Sequence, residues 1–440
     1  MSFLYNLSLA SRSIRRSPGL SLLMIVSIGL GIAAALTTFA VFAAVSGDPI
    51  PWKSSKLFVP QIDFWGPEAL EASKGEPPAA LSYMDAMALL RDHRATLQSA
   101  MYQIVPWVLP DGSKGAPISS VGHAVTHEFF SLLDIPFVAG SGWGQDDDER
   151  GAAVAVISQR LSQRLYGSTD STGRLINVTG KLYQIKGVMS DWHPQPRYYD
   201  LFNTGGFTAA QDDILVPFTH AIATQLRHVG STACRDNPGA QEIKDLLGTN
   251  CAWVAYMVQL DDSVSVGIFR DYLDSYAAEQ RRIGRFNWKP NNRLRNLKSW
   301  LDYRKVVPKE AKTALSVAIG LLLACLISTS GLLLSQYLRR SGEVGVRRAL
   351  GAPRKAIYSQ FLVEAGVVGF LGGILGLLLT TLSLMGLPKI LPEGIAALIH
   401  LNGSMIFITL FLAMTSTMAA SLYPILLVAK TKIGWQINVL

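Results

Sequence analysis

The sequence predicts a membrane protein with four transmembrane helices and a large extracytoplasmic α/β domain between the first and second helices. Three observations predict this fold class. The 440-residue chain contains four long stretches without a charged residue, and its basic residues concentrate at particular ends of those stretches. The segment 48–310 has the mixed strand and helix patterns of a folded domain, which we expect to form porter-like lobes with a β-rich insertion.

Each charge-free stretch is long enough to cross a bilayer. The stretches are Ser17–Gly47 (31 residues), Thr313–Leu338 (26), Ala365–Pro388 (24) and Leu401–Ala429 (29). Because a helix needs about 20 apolar residues to span the hydrocarbon core, all four are predicted to be transmembrane helices. A cleavable signal peptide is the alternative for the first stretch, but its apolar core is too long for one.

The distribution of Lys and Arg predicts the orientation. Positive flanks remain in the cytoplasm, so we expect both termini and the segment 339–364 to be cytoplasmic, and 48–310 and 389–400 to lie outside. The basic residues that support this are Arg12, Arg15, Arg16, Arg339, Arg340, Arg347, Arg348, Arg354, Lys355, Lys430 and Lys432.

These patterns predict nine consecutive segments. They are an interfacial helix (1–16), the first membrane helix (17–47), the extracytoplasmic domain (48–310), the second membrane helix (313–338), a cytoplasmic loop that contains a short helix (339–364), the third membrane helix (365–388), an extracytoplasmic link (389–400), the fourth membrane helix (401–429) and a cytoplasmic tail (430–440).

Local signals within 48–310 predict individual elements. Ser82 is placed to cap a helix over 82–93, and the strand and helix of 152–167 end at Gly167. The turn Thr179-Gly180 predicts a hairpin. A β-α-β-β order occurs near 57–125 and again near 252–300, which favours two small lobes, whereas 190–250 is rich in Pro, Gly, Asn and Asp and is expected to be irregular.

Two cysteines of this domain, Cys234 and Cys251, are candidates for a disulfide. They lie 17 positions apart in a segment that we expect to face an oxidising compartment, where a disulfide persists. Two free thiols are the alternative. Cys325 falls inside the second membrane helix, where a cysteine behaves as a small apolar residue.

Signatures of catalysis, metal binding and nucleotide binding are missing from the sequence. It contains no phosphate-binding G-x-x-x-x-G-K-[ST] and no H-E-x-x-H, and its histidines lack metal-ligand spacing. The net charge of +8 reflects the membrane flanks, so we do not interpret it as nucleic-acid binding. The four charge-free stretches also lack the ionisable groups of ion-coupled carriers, which favours helices that support or transmit movement.

Small residues repeat at four-residue intervals in the first and third membrane helices. Such stripes let helices approach closely within a bilayer, although glycine is also common in membrane helices in general. The candidate packing residues are Ser27, Gly31, Ala35, Gly369, Gly372, Gly373 and Gly376.

The cytoplasmic segment 339–364 has a pattern that a simple topology signal does not require. Glu343 is placed in the first turn of a short helix and Arg347 and Arg348 near its end, as the helix dipole favours. Gly345 and Gly351 permit a close approach of another backbone. These features predict a short helix and corner that fit into the cleft of a partner protein, the alternative being a loop that only enforces topology.

The run "GEVGVRRALGAPRKAIYSQFLVEAGVVGFLGGILG" (342–376) resembles the signature of the MacB/FtsX family of ABC transporter permeases. In that family a glutamate-apolar-glycine run leads to a basic pair and "alGA", then to a helix with an acidic residue at its membrane entry. The runs "HEFFSLLDIPFVAG" (127–140) and "VAVISQRLSQRLYGSTDSTGRLINVTGKLYQIKGVM" (154–189) resemble family passages of the outer domain. The order of one helix, a large domain and three helices is similar as well.

The resemblance implies a permease that acts as a mechanical relay in a bacterial inner membrane. A separate ATPase dimer in trans would bind ATP and Mg²⁺, so no cofactor is expected in this chain. The further expected partners are a second permease copy or paralogue, a periplasmic adaptor and an outer-membrane channel, in efflux of peptides, antibiotics or similar compounds. The ATPase-coupling residues implied are Glu343, Val344, Gly345, Arg347, Arg348, Ala349, Gly351 and Ala352.

The same family includes other functions that stay open at this point. Permeases of the LolC/LolE type release lipoproteins and share this topology. FtsX-type members regulate cell-wall hydrolases and have much smaller outer domains, and peptide-sensing members have more membrane helices. The outer-domain runs resemble the macrolide-exporter core most, which favours efflux.

Overall fold

The computed structural model describes residues 3–67, 75–113, 115–203, 207, 210–235, 242–289, 291–351, 353–387 and 403–430. The chain forms two compact units. We call Met1–Ser46 with Val307–Leu440 the membrane unit, and Gly47–Val306 the inserted unit.

The long apolar helices lie toward both ends of the chain, and shorter helices lie between them. They are α1 (Phe3–Arg16), α2 (Pro18–Ser46), α3 (Tyr83–Asp92), α4 (Phe129–Leu132), α5 (Gln145–Glu149), α6 (Gln159–Tyr166), α7 (Phe218–Ala223), α8 (Ile243–Leu246), α9 (Ser263–Arg282), α10 (Leu297–Tyr303), α11 (Lys309–Arg339), α12 (Ser341–Ala349), α13 (Arg354–Gly386) and α14 (Gly403–Lys430).

The strands all belong to the inserted unit. They are β1 (Leu57–Gln61), β2 (Leu97–Ile104), β3 (Trp107–Pro110), β4 (Ile118–Ser119), β5 (Gly122–Val125), β6 (Phe137–Gly140), β7 (Val154–Ser158), β8 (Leu175–Val178), β9 (Lys181–Met189), β10 (Ile214–Pro217), β11 (Ala233–Cys234), β12 (Cys251–Ala252), β13 (Ala255–Gln259) and β14 (Arg293–Asn296).

The membrane unit is a bundle of four long apolar helices. The spans are Pro18–Ser46, Lys309–Arg339, Arg354–Gly386 and Ile406–Leu427, with a mean hydropathy of 1.7 to 2.4, and each is long and apolar enough to cross a bilayer. Helix α13 packs on α2 and α14, and α11 packs on the same two helices, while α1 lies against α13. With the inserted unit between α2 and α11, the predicted fold class is confirmed.

Segment 339–364, predicted to contain a short helix and a corner, contains helical structure on both sides of the corner. Helix α12 follows α11 after one residue, and α13 begins at Arg354, well before the first charge-free residue Ala365. Gly351 and Pro353 lie between α12 and α13. The link predicted at 389–400 and residues 431–440 lie outside the described residues.

The inserted unit contains a twelve-stranded sheet with the order β14-β1-β13-β2-β5-β10-β7-β9-β8-β3-β4, in which β6 also pairs with β9. Adjacent strands among the first four are antiparallel, and α3 and α9 connect alternate strands in the split β-α-β arrangement. The two β-α-β runs recognised in the sequence therefore interleave in one layer, instead of forming one lobe each.

Segment 190–250 was expected to be irregular, and this expectation is wrong for part of its described residues. Strand β10 lies inside the large sheet, parallel to β5 and antiparallel to β7, and leads directly into α7. All four residues of β10 are buried, because both of its edges and both of its faces are covered.

Two hydrophobic cores cover the two faces of the sheet. Along β7, Ala155 and Ile157 belong to one core. Val154 and Val156 point to the other core, as the two-residue period of a strand requires. Because both faces are buried, the strand is a continuous apolar run without alternation.

The predicted caps and turn are confirmed. The side chain of Ser82 accepts a hydrogen bond from the backbone N–H of Asp85 at 3.2 Å. Gly167 ends α6 with φ +65°, and Thr179 and Gly180, at φ +50° and +89°, connect the antiparallel strands β8 and β9. In addition, Cys234 and Cys251 pair across β11 and β12 and form a disulfide.

A charged cluster is buried within the inserted unit. The His123 imidazole lies between two carboxylates, with Nδ1 2.9 Å from Asp212 and Nε2 2.9 Å from Asp200, and all three side chains are fully buried. The guanidinium of Arg197 lies 3.3 Å from Asp212, and the hydroxyl of Tyr199 donates to the same carboxylate. Two cationic groups thus balance two carboxylates if His123 is protonated.

Candidate functional site

The candidate site is the short helix α12 at the junction of α11 and α13. Glu343 lies in its first turn, and Arg347 and Arg348 lie in its last turn, so the charges at both ends suit the helix dipole. The helix ends before Gly351, whose φ of +93° only glycine adopts readily. Pro353 is the N-cap residue of α13, which begins at Arg354.

Helix α12 has an inward and an outward side. Val344 is 7% exposed and packs with Tyr337 and Phe361 of the neighbouring helices. Val346 and Leu350, by contrast, are 50% and 83% exposed. Four positions separate these two side chains, so they form one apolar spot on the outward side.

The predicted coupling residues divide between these two sides. Val344 and Gly345 are buried and hold α12 against the membrane unit. Arg347, Ala349 and Gly351 are exposed, and Arg348 is half-buried. Ala352 lies outside the described residues.

Two polar contacts tie the outward side of α12 to its neighbours. Nη1 of Arg16 in α1 lies 2.6 Å from the Glu343 carboxylate, and both side chains are more than half exposed. Nη1 of Arg347 donates to Gln360 in α13 at 3.0 Å. Exposed pairs of this kind contribute little stability, so they orient α12 more than they strengthen it.

Sequence reasoning missed Val346 and Leu350. The signal was present, because two apolar residues four apart in a basic amphipathic helix share one side. The sequence could not tell which of Val344 and Val346 faces inward, since that depends on packing against α11 and α13.

The predicted glycine positions lie at three different helix contacts. Gly369 and Gly373 of α13 face Ala413 of α14, whereas Gly372 and Gly376 face Ile28 and Ile32 of α2. Gly31 of α2 faces Cys325 and Leu322 of α11, while Ser27 and Ala35 are half-buried. Among the described residues, no group of three or more His, Cys, Asp or Glu side chains is arranged to hold a metal ion.

Two family models match consecutive parts of the chain. The MacB-like periplasmic core domain matches residues 21–276, more than half of the 440 residues, and the FtsX-like permease C-terminal domain matches 315–433. The second match contains α12 and the glycine-rich helix α13.

Curated relatives are similar over the same parts. A macrolide export ATP-binding/permease protein MacB from Azoarcus sp. is 24% identical over 83% of this chain and 50% of its own length. A pyoverdine export ATP-binding/permease protein PvdT from Pseudomonas syringae is 26% identical over 59% of this chain and 34% of its own length. The chain thus spans from a third to a half of these relatives.

Among solved structures, the periplasmic region of MacB from Actinobacillus actinomycetemcomitans matches 58% of this chain and 94% of its own, with 10% identity and a TM-score of 0.36. The first family model covers most of the inserted unit, and the second covers the membrane helices that follow it from residue 315. The chain therefore belongs to the MacB/FtsX family of ABC transporter permeases.

Proposed function

We propose that this chain is the permease subunit of an ABC exporter that carries movement from an ATPase, bound at α12, to the inserted unit. The observation that carries the proposal is the exposed apolar spot of Val346 and Leu350 at the junction of two long helices. An 83% exposed leucine beside basic side chains is suited to a partner groove that is apolar at its centre and acidic at its rim.

The connections of α12 are suited to transmission of force. Only Arg340 separates α12 from α11, and the Gly351 corner joins it to α13, so a push on α12 acts on two membrane helices at once. The charge-free stretches 17–47, 313–338, 365–388 and 401–429 favour this role over a polar conduit through the bundle.

The partners follow from this role. In this proposal an ATPase dimer in trans binds ATP and Mg²⁺ and acts on two permease copies or paralogues. In the proposed orientation the termini and α12 face the cytoplasm of a bacterial inner membrane and the inserted unit faces the periplasm. There it would engage an adaptor that leads to an outer-membrane channel.

The names of the relatives support the direction of transport. Those proteins are described as exporters of macrolides and of pyoverdine. We propose that this chain serves the export of peptides, antibiotics or similar compounds, with the substrate moved outside the inner membrane.

Co-purification tests the docking site. We expect Leu350→Asp, and likewise the double variant Arg347→Glu/Arg348→Glu, to lower the ATPase recovered with the tagged chain at least tenfold. Ile283→Asp is the matched control, since Ile283 is 61% exposed on the inserted unit, and it should leave the recovery unchanged. Equal recovery with all variants, together with unchanged ATP hydrolysis, would refute the assignment.

A further inference from the structure

We infer that α1 is part of the coupling site, and that the buried pair Arg340–Glu364 sets the position of α12. This inference rests on the proposed function in so far as α12 is the ATPase-binding element. The observation behind it is a polar cluster that is enclosed where α1, α11 and α13 meet. Neither the charge-free helix pattern nor the docking site explains this cluster.

The cluster is almost completely hidden. Ser13 of α1, Gln336 of α11 and Glu364 of α13 are 4%, 3% and 1% exposed. The Ser13 hydroxyl donates to the Glu364 carboxylate, and Nε2 of Gln336 donates to the same carboxylate at 3.2 Å. Nε2 of Gln336 also lies 3.1 Å from the hydroxyl of Ser17, which joins α1 to α2.

Arg340 supplies the positive charge of the cluster. Its Nη1 lies 3.3 Å from both carboxylate oxygens of Glu364, and its Nη2 donates to the backbone carbonyl of Ser13 at 3.2 Å. One guanidinium therefore contacts both α1 and α13. Only 16% of the Arg340 side chain is exposed, so little of it is available to a partner.

The backbone of Arg340 links this charge to α12. Its N–H donates to the carbonyl of Tyr337 in α11 at 3.1 Å, and its carbonyl accepts from the N–H of Val344 in α12 at 3.1 Å. Because Arg340 is the single residue between the two helices, fixing its side chain fixes the first turn of α12.

A second contact runs parallel to the first. Arg16 lies one helical turn after Ser13 in α1, and Glu343 lies one turn after Arg340, and these two side chains form the exposed pair described above. Thus α1 contacts the start of α12 through one buried and one exposed ionic group. Two contacts between the same two segments fix both the distance between α1 and the start of α12 and the angle between them.

The buried pair is the stronger determinant of this geometry. Removal of one partner from a buried ion pair leaves an uncompensated charge, so arrangements of the helices that separate Arg340 from Glu364 are disfavoured. The exposed pair Arg16–Glu343 is screened by solvent and salt. We assign Arg340, Glu364 and Ser13 as positioning residues that hold α12 in one orientation, with the ATPase contact left to Leu350 and its neighbours.

A distance measurement on the full-length chain tests this without the ATPase. Spin labels are attached to Ser11→Cys in α1 and Ala349→Cys in α12, both exposed positions, in a Cys325→Ala background. We expect Glu364→Gln and Arg340→Ala to broaden the distance distribution at least twofold, and Arg340→Lys, which keeps the charge, to restore most of its sharpness. Arg339→Ala is the matched control, since it removes an exposed charge from the same helix end.

An unchanged distribution in both Glu364→Gln and Arg340→Ala would overturn the inference. So would equal broadening in Arg339→Ala, because the effect would then belong to net charge at the helix end. Equal broadening in Arg340→Lys and Arg340→Ala would also count against it.

Activity supplies the second readout. In the complex with its ATPase, we expect Glu364→Gln to leave the recovered ATPase and the KM for ATP unchanged while kcat of the coupled hydrolysis falls at least fivefold. An unchanged kcat would contradict the positioning role. If instead Leu350→Asp fails to affect ATPase recovery, the proposed docking site is wrong, whereas the spin-label result on the isolated chain still decides the role of Arg340 and Glu364.

Discussion

Gly372 of α13 lies directly against Ile28 of α2: a Cβ atom at Gly372 would be 2.7 Å from Cγ2 of Ile28, closer than real side chains approach. One helical turn later, Gly376 lies in the same way against Ile32. The close contact of these two helices therefore depends on two glycines without side chains, which is the role of small residues in membrane helix packing.

We expect the double variant Gly372→Ala/Gly376→Ala to lower the thermal stability of the detergent-solubilised protein. Two added methyl groups would force α13 away from α2, and overpacking of this kind costs about 1–3 kcal/mol per site. The matched control is Gly320→Ala in α11, where no atom lies within 4 Å of the added methyl group. The control should be neutral or slightly stabilising, because alanine favours a helix by up to about 1 kcal/mol over glycine. Equal melting temperatures for the double variant and the parent would contradict the packing role.

The corner after α12 provides a second prediction. Gly351 has φ +93° and open space around it, so a substitution is opposed by backbone strain and not by contact. We expect Gly351→Val to change the angle between α12 and α13 and to reduce coupled ATP hydrolysis in the assembled complex severalfold. Gly351→Asn should retain more activity, since asparagine tolerates positive φ better than a β-branched residue does. Similar activities of the two variants would argue that the corner conformation is unimportant.

Local chemistry in the sequence predicted local structure. The local residue types determine the structure at Ser82, Gly167 and Thr179-Gly180, because a cap or a turn is decided within a few residues. The apolar length of the membrane helices is equally direct.

Features that depend on distant partners were not predictable in this way. Strand β10 has four residues in a Pro- and Asp-rich segment and becomes a strand because β5 and β7 flank it. Likewise, Glu364 stands at the edge of a charge-free stretch, and only the fold shows that Ser13 and Arg340 enclose it. The inward side of α12 was undecided for the same reason.

The buried cluster around His123 predicts a loss of stability as pH rises above 6.5. Burial alone would lower the pKa of His123, but the charge of Asp212 and the hydrogen bonds to Asp200 and Asp212 outweigh it, so this pKa is raised above 6.5. A raised folded pKa stabilises the fold below the unfolded value, and this stabilisation is lost as pH rises through the folded value. Above it, Asp200 and Asp212 would lose the positive charge of the imidazole that lies between them.

Hydrogen exchange measures this effect. We expect protection of the peptides that contain β5 and residues 197–213 to fall as pH rises above 6.5, after correction for intrinsic exchange rates. His123→Gln should be less protected at every pH and should lose this dependence, whereas His93→Asn, which changes a half-exposed histidine, should keep it. A parent protein with constant protection up to pH 9 would contradict the charged state of His123.

The pH dependence of stability expected from His228 has the opposite sign to that of His123. Burial lowers the pKa of His228 to about 4, and the charge of His123 lowers it further while the charge of Asp200 opposes the shift. Between the ordinary pKa of 6.5 and this value the unfolded chain binds more protons, so stability falls as pH falls. We expect local opening around residues 226–229 to increase from pH 6.5 to pH 4, and His228→Gln to abolish this trend. An identical acid dependence in the variant would refute it.

The disulfide between Cys234 and Cys251 closes a loop with a sequence separation of 17 residues and joins two short strands at the edge of one core. Closing a loop of this length removes unfolded-state entropy worth roughly 3 kcal/mol. We expect the double variant Cys234→Ser/Cys251→Ser, or the parent under reducing conditions, to lose protection against exchange in β11, β12 and α8. The buried side chains of Ile243 and Leu246 lie within the bridged segment and report the same loss through increased proteolysis. The control is Cys325→Ser, which leaves the bridge intact and should not change exchange in these peptides. Unaltered protection in the reduced parent would show that the sheet and its core hold this segment without the bridge.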